Sequence, residues 1–183
     1  MAKVKGKEWY EVFAPKEFGG KFIGSSMASD PKLLTGRRIE VSVPELTGNY
    51  RKFYLKARFE MVKAEGEKVL SEFYSLEVLR DYISRAVRRR TTKIELVQNL
   101  KSADGKDFVM KTIAVTLRKP TQIVVSELRR KLSEEIKESA EKVKLSDLVY
   151  DVMVGKFEGT MSKGVEKVYP LRTVIVRKIQ VLK

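Results

Sequence analysis

Residues 91–118 read TTKIELVQNLKSADGKDFVMKTIAVTLR. At their centre, SADGK (102–106) carries the pair Asp104-Gly105, a dipeptide that favours the tight turn of a β-hairpin. The flanking segments 91–101 and 107–118 therefore read as two antiparallel strands, and Pro120 ends the second. A hairpin of this length needs further strands or a helix against one face to be stable, so the segments on either side must supply them.

They do, in two different periods. Upstream, RRIEVSV (37–43) alternates, with Ile39, Val41 and Val43 on one face and Arg38, Glu40 and Ser42 on the other. YRKFYLKARFEMVK (50–63) alternates again and predicts a strand with Phe53, Leu55, Ala57, Phe59 and Met61 turned inward. AEGEK then supplies a Gly-centred turn into a strand over 67–76. At 77–88 the period becomes helical: Val78, Leu79, Tyr82, Ile83, Ala86 and Val87 make one apolar stripe. Downstream, Val125, Leu128, Leu132, Ile136, Ala140 and Val143 are spaced by three or four and predict a long helix over 122–143. Ser146 is placed to cap a short helix through Val154 that stops at Gly155. A weaker, glycine-interrupted helix is expected over 157–168, and Pro170 opens a final strand, LRTVIVRKIQVLK. No repeat or linker interrupts the chain, so residues 1–183 are expected to form a single α+β domain. Its mainly antiparallel sheet has about seven or eight strands, open or barrel-like, with three or four helices.

Charge narrows the function. The chain has 183 residues, 38 Lys plus Arg and 24 Asp plus Glu, for a net +14. Such a charge adds self-repulsion to the folded state and points to a polyanionic partner. Residues 1–90 and 91–183 each hold 19 basic and 12 acidic side chains, +7 apiece, so the excess is not a basic tail. Cys and His are absent, which removes thiolate and imidazole chemistry, whether nucleophilic, metal-binding or general-base. Gln and Asn number only five while Lys and Glu abound, a bias shared with proteins of hyperthermophiles. The N-terminus, MAKVKGKEWY, has no apolar core of a signal peptide, and no run is long enough to cross a bilayer. An intracellular protein without a membrane partner is expected.

Four clusters are candidates for contact with RNA. SRAVRRRTTK (84–93) sets Arg88, Arg89 and Arg90 in a row. Such residues suit the negative end of a helix dipole, and equally an external phosphate. The outward face of the strand over 50–63 carries Tyr50, Lys52, Tyr54, Lys56 and Arg58, rings to stack on bases among cations to neutralise phosphates. In SELRRKLSEEIKE, a helix capped by Ser126 would crowd Arg129, Arg130 and Lys131 at the positive end of the dipole, where an outside phosphate would relieve them; a helix starting near Thr121 would weaken that argument. Arg177 and Lys178, near the end of the chain, are the fourth. FGGKFIGSS (18–26) is not a phosphate-binding P-loop, because Phe22 follows Gly20-Lys21 and Pro15 stands where the leading Gly belongs. A surface loop is expected there. Trp9 and Tyr10 read as core or interface anchors. The nearest carboxylate pair, Asp104 and Asp107, lies in a turn where Asp serves the backbone, so no catalytic constellation or cofactor is expected. The rival to a binding role is a metal-dependent enzyme acting on RNA, which needs clustered carboxylates.

The segments EWYEVFAP (8–15) and VYPLRTVIVRKIQVLK (168–183), with YRKFYLKARF and the Asp-Gly hairpin in order between them, closely resemble the archaeal and eukaryotic ribosomal protein family S-three-A-e, also called e-S-one. The likeness spans nearly the whole chain and is to the short archaeal form. Eukaryotic members are longer at both ends, so contacts of their extensions do not carry over. The resemblance implies a structural constituent of the small ribosomal subunit in the cytoplasm, on the platform side near the messenger exit. It implies small-subunit ribosomal RNA and neighbouring ribosomal proteins as partners, and messenger RNA near the exit. A free RNA-binding protein or RNA chaperone without catalytic activity is the alternative.

Overall fold

The computed structural model describes residues 6–182; Met1–Lys5 of the N-terminal stretch and Lys183 of the closing strand lie outside the described residues. Eight strands and five α-helices occur among the described residues, an α+β fold. The chain divides into two compact units, Met1–Ser75 and Leu76–Lys183.

The first unit holds β1 (Glu8–Phe13), β2 (Phe22–Ala28), β3 (Arg38–Ser42), the short helix α1 (Val43–Thr47), β4 (Leu55–Glu65) and β5 (Lys68–Val78), whose last three residues belong to the second unit. Neighbouring strands run β2-β1-β5-β4-β3. The β1–β2 and β3–β4 pairs are antiparallel, whereas β1 pairs with β5 in parallel. No ladder joins β2 to β3 among the described residues, so the row stays open rather than closing into a barrel. Side chains bridge that gap instead. The Arg37 guanidinium donates to the Met27 carbonyl at 2.9 Å and to Ser26 Oγ at 3.3 Å. Gly24, with φ 150°, lies so near Ile39 that a Cβ there would come within 2.7 Å of its Cδ1. Tyr10, Val12, Ala28, Leu34, Met61 and Val69 form the core between the strands. A second cluster joins Phe18, Phe59 and Phe73, with ring centroids 5.7–6.2 Å apart.

Two expectations for this unit are corrected. Residues 18–26 are not a loop: Gly19 and Gly20 turn the chain, and β2 starts at Phe22. Gly24, Ser25 and Ser26 show no apolar alternation because β1, not a core stripe, holds this strand in place. The predicted strand 50–63 begins only at Leu55. Before it, Asn49 accepts a hydrogen bond from the Arg51 amide at 3.2 Å and caps a 3-10 turn over Tyr50–Lys52. Alternation applies only to extended backbone. Leu55, Ala57, Phe59 and Met61 are buried as expected, but Phe53 is 59% exposed and Tyr54 only 7%. The two rings have exchanged roles.

In the second unit, α2 spans Arg80–Ala86, β6 Lys93–Lys101, β7 Asp107–Thr116, α3 Gln122–Lys142, α4 Leu145–Val154, α5 Lys156–Val165 and β8 Leu171–Val181. The hairpin is as predicted: Ser102 N–H donates to the Lys106 carbonyl at 3.1 Å, and Gly105 takes φ 76°. β7 lies between β6 and β8, antiparallel to both. α3 covers one face of β6, where Gln98 Nε2 donates to Ser133 Oγ at 2.8 Å. Its Val125, Leu128, Leu132, Ile136 and Ala140 are buried. The helix expected over 77–88 is shorter because Val78 still belongs to β5. Ser146 is not a cap. α4 starts at Leu145, two residues earlier than a Ser146 cap would place it, so that Leu145 joins the buried stripe of Leu148, Val149 and Val152, and Gly155 ends it in the left-handed region at φ 93°.

Candidate nucleic-acid interface

Arg88, Arg89 and Arg90 lie beyond α2 and not in its last turn, where Arg85 is the basic residue. The dipole effect fades within that turn. The three arginines instead form an exposed turn closed by Thr91. The Thr91 hydroxyl donates to the Arg88 carbonyl at 2.6 Å, and the Thr91 amide donates to the same oxygen at 3.3 Å. Arg90 has φ 64°, the one described non-glycine residue with positive φ, a conformation that costs an L-residue roughly 1–2 kcal/mol. None of the three forms an ion pair among the described residues. Of the two readings of this triplet, the structure leaves the helix dipole little part.

α3 alters the second cluster. The helix starts at Gln122 behind Thr121, so Arg129 is its eighth residue and is remote from the positive end. Ser126 caps nothing; its hydroxyl donates to the Gln122 carbonyl at 3.1 Å. The crowding expected at the first turn is therefore absent, because the apolar stripe extends the helix back to Val125. Arg129 and Arg130 are exposed on the solvent side of the helix, and Lys131 is half-buried. Lys131 acts on Glu135, whose carboxyl is nonetheless raised above its ordinary range, first by burial and then by Glu138. That carboxylate is pressed so closely on Gly164 of α5 that a Cβ there would overlap it.

The third cluster splits in two. Lys56 and Arg58 both bind Glu40 on the neighbouring β3, at 2.6 and 2.8 Å. These bonds, Lys56 first, hold the Glu40 carboxyl below its ordinary range. An RNA phosphate would have to compete with a carboxylate already in place. Tyr54 is buried, with the Lys52 ammonium 5.5 Å above its ring. Tyr50 alone of the five keeps an open ring, 81% exposed, and the missed Phe53 stands close by on the same turn. Only the Asn49 cap signal beside them hinted at this turn.

Arg177 and Lys178 sit in β8 at a bulge: Lys111 of β7 pairs with Lys178, whereas Thr112 pairs with Val176, leaving Arg177 as the extra residue. Lys111 was not legible as a candidate, since only the register of two distant strands places it beside Lys178. Neither lysine forms an ion pair among the described residues.

The unit boundary also redistributes the charge. Residues 1–75 hold 14 basic and 10 acidic side chains, +4; residues 76–183 hold 24 and 14, +10. Among the described residues no three acidic side chains gather into a metal site, and no helix is long and apolar enough to cross a membrane.

A family model described as the Ribosomal S3Ae family matches residues 1–183. The small ribosomal subunit protein eS1 of Desulfurococcus amylolyticus is 34% identical over 180 residues, covering 98% of this chain and 84% of that protein. The protein of the same name from Saccharolobus islandicus strain L.S.2.15 is 32% identical over 181 residues, with 99% and 87% covered. That of Methanocaldococcus jannaschii is 31% identical over 180 residues, with 98% and 81% covered. The resemblance read from the two terminal segments holds along the whole length, and the chain belongs to the ribosomal S3Ae family.

Proposed function

We propose that this chain is a structural constituent of the small ribosomal subunit, without catalytic activity, that binds ribosomal RNA and neighbouring ribosomal proteins on the platform side near the messenger exit of the cytoplasmic ribosome. The observation that carries the reading is the full-length family match together with relatives named small ribosomal subunit protein eS1. Physical chemistry supports the RNA contact. Residues 76–183 carry +10, and Arg88–Arg90, Arg129, Arg130 and Lys178 have no ion-pair partner there among the described residues, whereas Lys131 and Arg177 act on Glu135 and Glu95 without a close ion pair. Cations left unneutralised inside the protein are free to displace counterions from phosphates, which is where such binding gains its free energy. Tyr50 and Phe53 offer rings for unpaired bases, whereas Lys56 and Arg58 serve the β3–β4 ladder first.

Sedimentation tests this directly. The native protein should travel with small subunits through a high-salt wash, and crosslinking within the subunit should reach rRNA near the messenger exit, messenger RNA included. A protein that binds RNA but never migrates with subunits would be a free RNA-binding protein or chaperone, and the ribosomal reading would fall.

A further inference from the structure

The pairing of Lys111 with Lys178 is unfavourable in the free protein. Residues directly opposite in an antiparallel pair have Cβ atoms about 4.5–5.5 Å apart, and like charges there are destabilising. A carboxylate on an adjoining strand would balance such a pair. Here the next position along the row, on β6, is Val97, which is 64% exposed and carries no charge. Glu95, two residues away on the same face, is already bound to Lys93 at 2.5 Å, and it also feels the Arg177 guanidinium. The face is the one turned away from α3: Gln98, which reaches α3, pairs with Met110, the neighbour of Lys111. The bulge adds the Arg177 charge beside the two lysines. Neither lysine has an acid within ion-pairing distance among the described residues, and Glu95, on this face, is held by Lys93.

We propose that Lys111 and Lys178, with Arg177 beside them, form a binding position for backbone phosphates of RNA on this face of β6, β7 and β8. The inference rests on the rRNA-binding reading and adds to it a residue, Lys111, and a defined place. A phosphate between the two ammonium groups replaces their repulsion by two charge-assisted hydrogen bonds.

Two substitutions in the full-length chain test it, Lys111→Gln and Lys111→Glu, with Lys178→Gln as an independent check. Stability and binding should move in opposite directions. Removing the repulsion raises the urea midpoint, most for Lys111→Glu, which creates an ion pair with Lys178. At the same time, affinity for a small-subunit rRNA fragment falls by about tenfold for Lys111→Gln and further for Lys111→Glu. The slope of log K against log salt flattens by about 0.7–0.9 for each phosphate that is no longer neutralised. Addition of RNA should also stabilise the wild type more than Lys111→Gln, whereas inorganic phosphate at equal phosphorus should not. An equal effect of inorganic phosphate would make this a free-anion site and overturn the proposal. So would Lys111→Gln and Lys178→Gln variants that keep wild-type affinity and slope, or a midpoint that falls on neutralisation. An Arg88/Arg89/Arg90→Gln variant assayed in parallel separates the two levels. If it loses affinity and the lysine variants do not, only this position fails; if neither does, the RNA-binding reading fails with it.

Discussion

Phe53, Tyr54 and Phe59 show how far a single position can be read. All three lie in one alternating stretch, and by parity Phe53 and Phe59 belong to the core. Phe59 is fully buried between Phe18 and Phe73, and its replacement by Ala should cost about 3–5 kcal/mol. Phe53, 59% exposed, should cost less than about 1 kcal/mol, since surface changes rarely exceed a few tenths. Urea melts of the two variants check this. Equal losses would return Phe53 to the core. The parity rule failed because Asn49 binds the Arg51 amide and coils the chain before the strand begins, a local side-chain bond that competes with β-structure and that hydrophobic spacing does not register. Arg90 makes the complementary point. Its φ of 64° suits glycine, so Arg90→Gly should leave the urea midpoint unchanged or raise stability by up to about 1 kcal/mol, while removing one cation. A midpoint lowered by more than that would mean the Arg90 side chain stabilises the turn.

At the scale of elements, the hairpin β6–β7, the helix α3 and the stop at Gly155 were all legible, because each rests on a local signal: an Asp-Gly turn, a stripe at helical spacing, a left-handed glycine. β2 was not, since its Gly24, Ser25 and Ser26 acquire strand structure only from pairing with β1. Nor was the packing of α3 on α5, which places the Glu135 carboxylate against Gly164. Burial raises the pKa of that carboxyl, so the folded state binds its proton more tightly than the unfolded chain does. Its contribution therefore favours folding at low pH and is lost as pH rises from the ordinary carboxylate range through the raised folded value. Glu135→Gln abolishes this dependence. The variant should be more stable than wild type at pH 7 and should lose that advantage near pH 4. Midpoints in urea at the two pH values measure it, and an unchanged difference would show that burial of this carboxylate carries no penalty.

For the whole molecule, electrostatics is the quantity that the proposed RNA contact would use, and its distribution was visible only in part. Counting by halves put +7 on each side; the folded boundary at Ser75 leaves +4 on one unit and +10 on the other. The arginine turn after α2 belongs to the more basic unit. Replacing Arg88, Arg89 and Arg90 together by Gln should flatten the salt slope of rRNA binding by up to about 2, at about 0.7 per single-strand phosphate, and reduce incorporation into small subunits. Its thermal midpoint should hardly move, because no described acid pairs with these side chains. Loss of stability with an unchanged slope would restore the dipole reading. What the sequence by itself determined is what depends on neighbours in the chain or on sums over it: the α+β class, most helices and strands, the excess of positive charge, the absence of thiol and imidazole chemistry, and the family. What only the tertiary structure decided is which cations remain free. Lys56 and Arg58 are claimed by Glu40 across a strand pair, while Lys111 and Lys178 meet across another without an acid between them. Such pairings follow from strand register over separations of 16 to 67 residues, and hydrophobic periodicity fixes the face a side chain takes but not the partner it will meet there.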